Sequence, residues 1–519
     1  MCPTLTHPKL NPPVSSYCKG ASVVRMLHAV LGAEHFQRGL QIYMERHQFG
    51  NTETFHLWRA WEEASGKPIA QIMQRWTEQM GFPLVEVVGR AVHADGTTTL
   101  SCKQSWFLAD GSEPDGRTWT IPLAVASPAA PNGGHDGISL HGSGAFEVTV
   151  AAGPGGAAAA WAKLNAGQHV PFRVAYDAAT FEGLIAAVRS LALGPEDRAG
   201  LLLDAFALAK AGHASMPASQ LLALVGAYAS EDDASVWGAL ETVLLGVDKL
   251  LLAAGDAAPA GLRAKFVAFA ARLVGPAAAA SGWEAKSDDG HLGKLKRACL
   301  VRLQAHFACG TPAVAATAKR LWDAYFANGL AGDASALPAD FKIPVFKIVL
   351  ANAAAGSEAE FDQLMAHLGA LTANAERKAV YLAIGATPSL ALKRRVLEWC
   401  TGGALKLQDF FYPIGSVSQS SPEGLAMAWD FFRENFADIS AMLKKASASL
   451  MDAAIVYSVS GFATDARADE IAGFFTDPAT GEPRLPQSNR KISQTVEGIR
   501  ASAKFLARIL ASDLSVLDA

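Results

Sequence analysis

Residues able to do chemistry are plentiful in this chain, and their spacing is what limits them. Thirteen histidines are present. None forms the His-Glu-x-x-His pattern that lets one helix face offer a zinc ion two imidazoles with a glutamate base between them. The nearest imitation is His28 with Glu34 and His35. Those imidazoles stand two turns apart with Gly32 between them, and they read as solvent-facing. Six cysteines (Cys2, Cys18, Cys102, Cys299, Cys309 and Cys400) are scattered without Cys-x-x-Cys spacing. Neither a zinc knuckle nor a disulfide framework is indicated, and a reducing compartment is the simpler reading. Serine, histidine and aspartate could be combined into a triad in many ways, but no Gly-x-Ser-x-Gly elbow presents a nucleophile. Gly133-Gly134 and Gly153–Gly156 lack the strand-to-helix setting of a phosphate loop and read as loop tips. Lys294, Lys296 and Arg297 are expected to form a small basic patch on a solvated helix face.

The elements that must position any site follow from punctuation and period. With 519 residues the chain is too long for one core, and two or three domains are expected. Half the residues are hydrophobic, 18% are charged and the formal net charge is −4, which recommends no nucleic-acid partner. Residues 1–14 carry four prolines and no periodicity, and they read as an extended leader. From residue 15 to 81 the period is helical. Ser15 or Ser16 could cap a first helix with Val23, Val24, Leu27, Val30 and Leu31 on one stripe, ended by Gly32. Glu34 opens a second helix, burying Phe36, Leu40 and Tyr43. Asn51 or Thr52 caps a third, with Phe55, Trp58 and Trp61 on one side. Pro68 starts a fourth, whose face is Ile69, Ile72, Met73, Trp76 and Met80, with Gly81 as its stop.

At Phe82 the period changes to two. Leu84, Val85, Val87 and Val88 open a strand, and Asp95-Gly96 is a strong hairpin turn before Thr97–Phe107. Trp119–Val125, Phe146–Val150 and Val170–Tyr176 are further strand candidates, with loops such as Pro128–Gly137 between them. A small β-sandwich over residues 82–177 is expected. From Phe181 onward the strand signal vanishes. So many consecutive helices cannot share one bundle core, and a HEAT- or armadillo-like stack of helix pairs over residues 178–519 is the economical solution. The loop Ser281–Gly290 reads as mobile. The longest uncharged run, Ala211–Ser230, is interrupted by His213, Pro217 and Gln220, and it reads as a buried helix with no membrane partner. No apolar signal-peptide core is visible at the start, so a cytoplasmic location is expected.

Ordered residues now point to a family. Tyr17, Lys19, Gly20 and Ala21, then Val24 with Met26-Leu27, Asn51-Thr52, Leu57-Trp58, Ser65-Gly66-Lys67-Pro68-Ile69 and Trp76-Thr77-x-Gln79-Met80-Gly81-Phe82-Pro83 resemble the end of the catalytic domain of M1-family zinc aminopeptidases of the puromycin-sensitive type. The likeness continues more thinly through Trp119-x-Ile121-Pro122-Leu123, Trp161-x-Lys163-Leu164-Asn165 and Phe172-Arg173-Val174. Asp197-Arg198, Leu203-Asp204-Ala205, Glu231, Leu337-Pro338-Ala339-Asp340, Pro344-Val345 and Gln494-x-x-Glu497 extend it toward the end of the chain. These last pieces read as structural markers, buried acid–base pairs and helix caps. The resemblance implies a mainly α protein: the helical end of a catalytic domain, a small β-sandwich, and a large HEAT/armadillo-like α-superhelix as C-terminal domain.

Enzymes of this family remove N-terminal residues from peptides with a zinc-activated water held by His-Glu-x-x-His and a later glutamate. A Gly-x-Met-Glu-Asn loop grips the substrate amine. Neither motif is in this chain, so no metal ligand and no cofactor are expected on it, and zinc belongs to the complete family enzyme. Because both motifs precede the Tyr-x-Lys-Gly element in the family, the metal site is expected to be missing through a late start. By resemblance Tyr17 is the hydroxyl donor that stabilises the oxyanion of the tetrahedral intermediate. Arg173 could bind a substrate carboxylate, or it could pair inside the sandwich or with the next domain.

The expected function is therefore the C-terminal part of an M1-type metallo-aminopeptidase, inactive alone, with peptides as partners. The alternative is a non-catalytic helical-repeat scaffold that holds a peptide or protein. Residues 15–81 should also leave an exposed apolar face, inviting self-association or docking of a missing catalytic portion.

Overall fold

The computed structural model describes residues 13–133, 138–284, 286, 289–354, 356–444 and 446–518. The expected leader therefore lies outside the described residues except for its end, where helix has already begun. The chain divides into two compact units between Glu231 and Asp232.

The first unit opens with three helices, α1 (Pro13–His47), α2 (Thr54–Ser65) and α3 (Ile69–Glu78). Gly32 interrupts α1 with φ 76° and ψ 161°, so the expected pair of helices exists as two halves of one kinked element. The helix starts ahead of Ser15, which displaces the expected serine cap. The buried stripe of its first half is Val23, Met26, Leu27, Val30 and Leu31, whereas Val24 is 44% exposed. A 3.6-residue period admits 23, 26, 27, 30 and 31 on one side and leaves 24 off it. In the second half Leu40 is also largely exposed, and Ile42 takes the inward position. Phe55, expected inside, is exposed, while Trp61 is buried. The cap of α2 is Glu53 in place of Asn51 or Thr52, because the His56 ring accepts from the Glu53 N–H and closes a capping box. On α3 the reading of Ile69, Ile72, Met73 and Trp76 as one inward face matches their burial, whereas Met80, expected on that face, is exposed like Leu40.

Among the described residues eight strands follow: β1 (Pro83–Val92), β2 (Thr98–Trp106), β3 (Ile121–Leu123), β4 (Val125–Ala126), β5 (Ser139–His141), β6 (Ala145–Val150), β7 (Lys163–Leu164) and β8 (Arg173–Ala175). Four make one sheet in the order β6-β2-β1-β8, while β3–β5 and β4–β7 form two short ladders. The β1–β2 hairpin turns at Asp95-Gly96, where the Asp95 carboxylate accepts from the Thr97 N–H and hydroxyl. Val88 is 56% exposed, as alternation with the buried Val85 and Val87 requires, and it sits at a register shift between Val87 and Gly89. In contrast to the hairpin, β8 joins β1 in parallel, a pairing that only a long excursion of chain permits. Three helices complete the unit: α4 (Ala178–Arg189), α5 (Pro195–Ala211) and α6 (Ala218–Gly226). Asp177 caps α4 by accepting from Thr180 N, and Pro195 occupies the first turn of α5.

The second unit is a succession of helices, beginning with α7 (Ala234–Ala254), α8 (Leu262–Ser281), α9 (His291–Phe307), α10 (Pro312–Phe326) and α11 (Ala339–Ala351). Further helices carry the chain to Ala511, and the only β pairing among the described residues here is an isolated bridge, Thr476 with Pro483. One continuous core runs from Val301 to Ile499 through Trp322, Phe346, Trp429 and Ile455. Each helix covers its apolar stripe with its neighbours, which is the logic of stacked helical arrays. Arg297 corrects the expected basic patch. It is 3% exposed, donates to Asp289 at 2.8 Å and to the Ser281 carbonyl at 3.3 Å, and so pins the loop before α9 instead of facing water. The expected mobile segment Ser281–Gly290 falls partly outside the described residues. Glu497 is exposed rather than buried as a marker.

Candidate functional site

The first half of α1 carries Tyr17, and its placement rests on α2 and α3. Met26 and Leu27 are fully buried beneath it. The Lys19 ammonium reaches across to the Gln79 carbonyl at 3.0 Å, ending α3 against the start of α1. Burial lowers the Lys19 pKa from its ordinary value. Lys67 donates to the Val30 carbonyl at the kink, and the Trp61 indole donates to the Phe36 carbonyl at 3.0 Å. Gly39 is required there, since a Cβ would lie 2.1 Å from the Trp61 ring. Thus the Lys-Gly and Ser-Gly-Lys-Pro motifs close helix ends onto one another.

The Trp-Thr-x-Gln-Met-Gly-Phe-Pro motif does the same toward the sheet. Trp76 donates to the Thr120 carbonyl at 2.8 Å and Gln79 to the Thr118 carbonyl at 2.8 Å. Gly81, at φ 87°, lies so close to the Trp106 indole that a Cβ would fall 2.0 Å from its nitrogen. Arg117 also stacks on Trp106, 3.8 Å from the ring centroid.

Tyr17 itself is 77% exposed, and no described residue hydrogen-bonds its hydroxyl. It therefore presents a phenol to the outside of the three-helix layer. Elsewhere on the same helices Val24, Met44 and Phe55 are also exposed, as is Phe49 in the turn between α1 and α2. His28 and His35 are exposed, as expected, with His28 against the Phe36 ring and His35 on the Leu31 carbonyl.

Arg173 lies elsewhere in the unit, at the start of β8. Its guanidinium donates to Asp204 at 3.0 Å and to the Leu203 carbonyl at 3.1 Å, and it faces the Phe107 ring. Only 13% of its side chain is exposed. The structure thus gives Arg173 an intramolecular carboxylate on α5 and does not bring it together with Tyr17 by any described contact.

Asp204 is the hub of a polar network that the residue types hinted at but could not connect. It also accepts from the Val174 N–H at 3.2 Å. Burial pushes its carboxyl up, against the pull of Arg173 and Lys163. Lys163, wholly buried, donates to the Leu164 carbonyl at 2.7 Å and stands 3.6 Å from Asp197. Burial lowers its ammonium pKa, opposed by Asp197 and Asp204. Asp197 in turn accepts from the Gly167 N–H at 2.9 Å. Next to it, Arg198 grips Glu231 through two bonds of 2.7 and 2.8 Å. The sequence reading of Asp197-Arg198, Asp204 and Glu231 as buried acid–base markers matches this arrangement. Charge opposite charge in a dry junction fixes geometry.

Among the described residues, no three His, Cys, Asp or Glu side chains gather in a way that could hold a metal ion. No helix of the described residues is long and apolar enough to cross a membrane.

Comparison with known proteins bears on this geometry. Residues 161–501 match the ERAP1-like C-terminal domain, and residues 13–76 match the peptidase family M1 domain. The chain belongs to the M1 aminopeptidase family. Aminopeptidase M1-B of Oryza sativa subsp. japonica is 30% identical over 508 residues, covering 95% of this chain and 54% of that protein. Aminopeptidase M1 of Arabidopsis thaliana is 29% identical over 506 residues, with 96% and 54% covered. The puromycin-sensitive aminopeptidase of Caenorhabditis elegans is 28% identical over 495 residues, with 95% and 50% covered. The chain spans about half the length of these relatives and corresponds to their C-terminal portion. M1 enzymes are zinc-dependent, so zinc pertains to the complete family enzyme. The M1 domain match ends at residue 76, where Trp76 and Gln79 tie α3 to the loop before β3.

Proposed function

We propose that this chain acts as the C-terminal part of an M1-type metallo-aminopeptidase that trims N-terminal residues from peptides in the cytoplasm. In this reading it contributes the Tyr17 hydroxyl to the oxyanion and a helical surface to the peptide, while the metal chemistry resides in residues outside it. The observation that carries the reading is the collinear similarity to aminopeptidases over nearly the whole chain. The exposure of Tyr17 supports it, because a hydroxyl meant for a reacting carbonyl must remain unspent. Cysteines outside any disulfide at positions 102, 299, 309 and 400 agree with a reducing compartment.

Metal analysis of the purified chain, together with turnover of aminoacyl-coumarin substrates, tests the proposal. Substoichiometric zinc and no turnover are expected; one firmly bound zinc per chain with hydrolysis overturns it. Mixing with the peptidase half of a relative should then restore turnover. The alternative, a scaffold that binds a protein or a second copy, draws on the exposed Val24, Met44, Phe49 and Phe55. Sedimentation of the chain alone separates the two, since a concentration-dependent dimer without complementation favours the scaffold.

A further inference from the structure

Of the many serine, histidine and acid combinations the sequence permits, the first unit assembles one outside the Tyr17 face. Glu86 sits in β1, opposite Lys103 of β2 in the hairpin register. His213 follows Gly212, which ends α5 in the left-handed conformation, and the His213 N–H bonds back to the Leu208 carbonyl at 2.9 Å. The imidazole is thereby aimed at the hairpin. Its Nε2 lies 3.2 Å from Glu86 Oε1, and its Nδ1 lies 2.9 Å from Ser215 Oγ. Lys103 stands 3.1 Å from the other Glu86 oxygen.

The proton positions follow from charge. Burial pushes the Glu86 carboxyl up, but hydrogen bonds from His213 and Lys103 outweigh it and hold it below its ordinary value. An anionic Glu86 requires the proton on Nε2, which leaves the Nδ1 lone pair facing Ser215. The Ser215 N–H also approaches Nδ1, at 3.3 Å, which fixes the turn. Side-chain exposures of 23% for His213 and 18% for Glu86 leave the group reachable from solvent. Such a relay is recognised by geometry and role, independent of sequence order.

We propose that Ser215 is a nucleophile, with His213 as its general base and Glu86 as the positioning carboxylate, and that the site accepts acyl groups from esters with a good leaving group. In the first step the Ser215 oxygen bonds to the ester carbonyl carbon while its proton passes to His213 Nδ1. The ester C–O bond then breaks and the proton leaves with the alcohol or phenol. Water repeats the sequence in reverse roles and releases the acid. This chemistry needs no metal, and it stands apart from peptide trimming.

The test uses the whole chain and a fluorophosphonate probe. Reaction forms an O–P bond at Ser215, expels fluoride and places the proton on His213. Mass spectrometry should find the label on Ser215, and Ser215→Ala should abolish it. A general base typically contributes about 10²–10⁴-fold, so His213→Gln and His213→Asn should each slow labelling at least tenfold at pH 7.5 with native melting curves. Glu86 and Lys103 are the charges facing the imidazole from the strands. Glu86→Gln removes the carboxylate that holds Nε2 3.2 Å away, so it should slow labelling while leaving the melting curve native. Labelling of Ser215 no faster than of the exposed Ser112, or an unchanged rate in both His213 variants, overturns the proposal.

Discussion

The junction between α5 and the turn after α6 gives the sharpest test of what holds the first unit together. Arg198 and Glu231 meet there with side chains 7% and 0% exposed. Two parallel charge-assisted bonds join them, Arg198 also donates to the Leu193 carbonyl at 2.6 Å, and the Tyr228 hydroxyl donates to the Arg198 carbonyl at 2.7 Å. Glu231→Ala removes one partner and leaves a desolvated guanidinium, which typically costs about 3–5 kcal/mol. Opening of α5 should accelerate about 10²–10⁴-fold, since every 1.4 kcal/mol is roughly a decade. Hydrogen exchange of peptides spanning residues 195–231 reads this locally, without assuming that two compact units unfold as one. Replacing both residues, as Arg198→Met with Glu231→Leu, removes the desolvation penalty along with the attraction, so it should cost less than Glu231→Ala alone. If the single variant loses less than about 1 kcal/mol, or the double variant is as damaging as the single, the buried pair is not what fixes the junction.

Four further outcomes are expected. Gly81→Ala forces a Cβ against Trp106 at φ 87°, adding about 1–2 kcal/mol of backbone strain to about 1–3 kcal/mol of overpacking; a melting point unchanged from wild type refutes the close approach. Burial pushes the Cys102 and Cys299 thiols up to about 12, so a thiol reagent at pH 8 should modify exposed Cys18 in the native chain and reach Cys102 and Cys299 only on unfolding. The Arg297 hydrogen bonds hold Asp289 down at about 2 against an ordinary 3.8. That pair's contribution is therefore complete above pH 3.8 and fades as pH falls toward 2, and Asp289→Asn should remove this part of the acid dependence seen in melts. Tyr17→Phe, at a position 77% exposed, should shift stability by no more than about 0.5 kcal/mol. In a complemented enzyme it should cost about 100–1,000-fold in turnover, and an unaltered rate would remove Tyr17 from the oxyanion.

Local signals proved readable where one element decides the outcome. Gly32 breaks a helix because its own φ allows it, Asp95 closes a hairpin with its own neighbours, and Ile69, Ile72, Met73 and Trp76 share a face by period alone. Misplacements came where a neighbour intervened. A stripe that includes Val24 is one residue too wide, since that side chain is 44% exposed. Phe55 looked like core, yet it is exposed while Trp61 takes the buried place on α2. Arg297 looked solvated until Asp289, eight residues earlier, claimed it. Short strands such as Lys163–Leu164 carry too few residues for any alternation to show.

The sequence by itself determined the helical and strand periods, the family, and the absence of a His-Glu-x-x-His helix, because each is written in residues close together along the chain. Tertiary structure alone decided which charges meet: Lys163 with Asp197, Arg173 with Asp204, and Glu86 with His213 across more than a hundred residues. Those pairings depend on β8 lying parallel to β1 and on α5 and its C-terminal turn reaching the sheet. Desolvation then makes each partner obligatory, and that energy has no counterpart in a linear pattern.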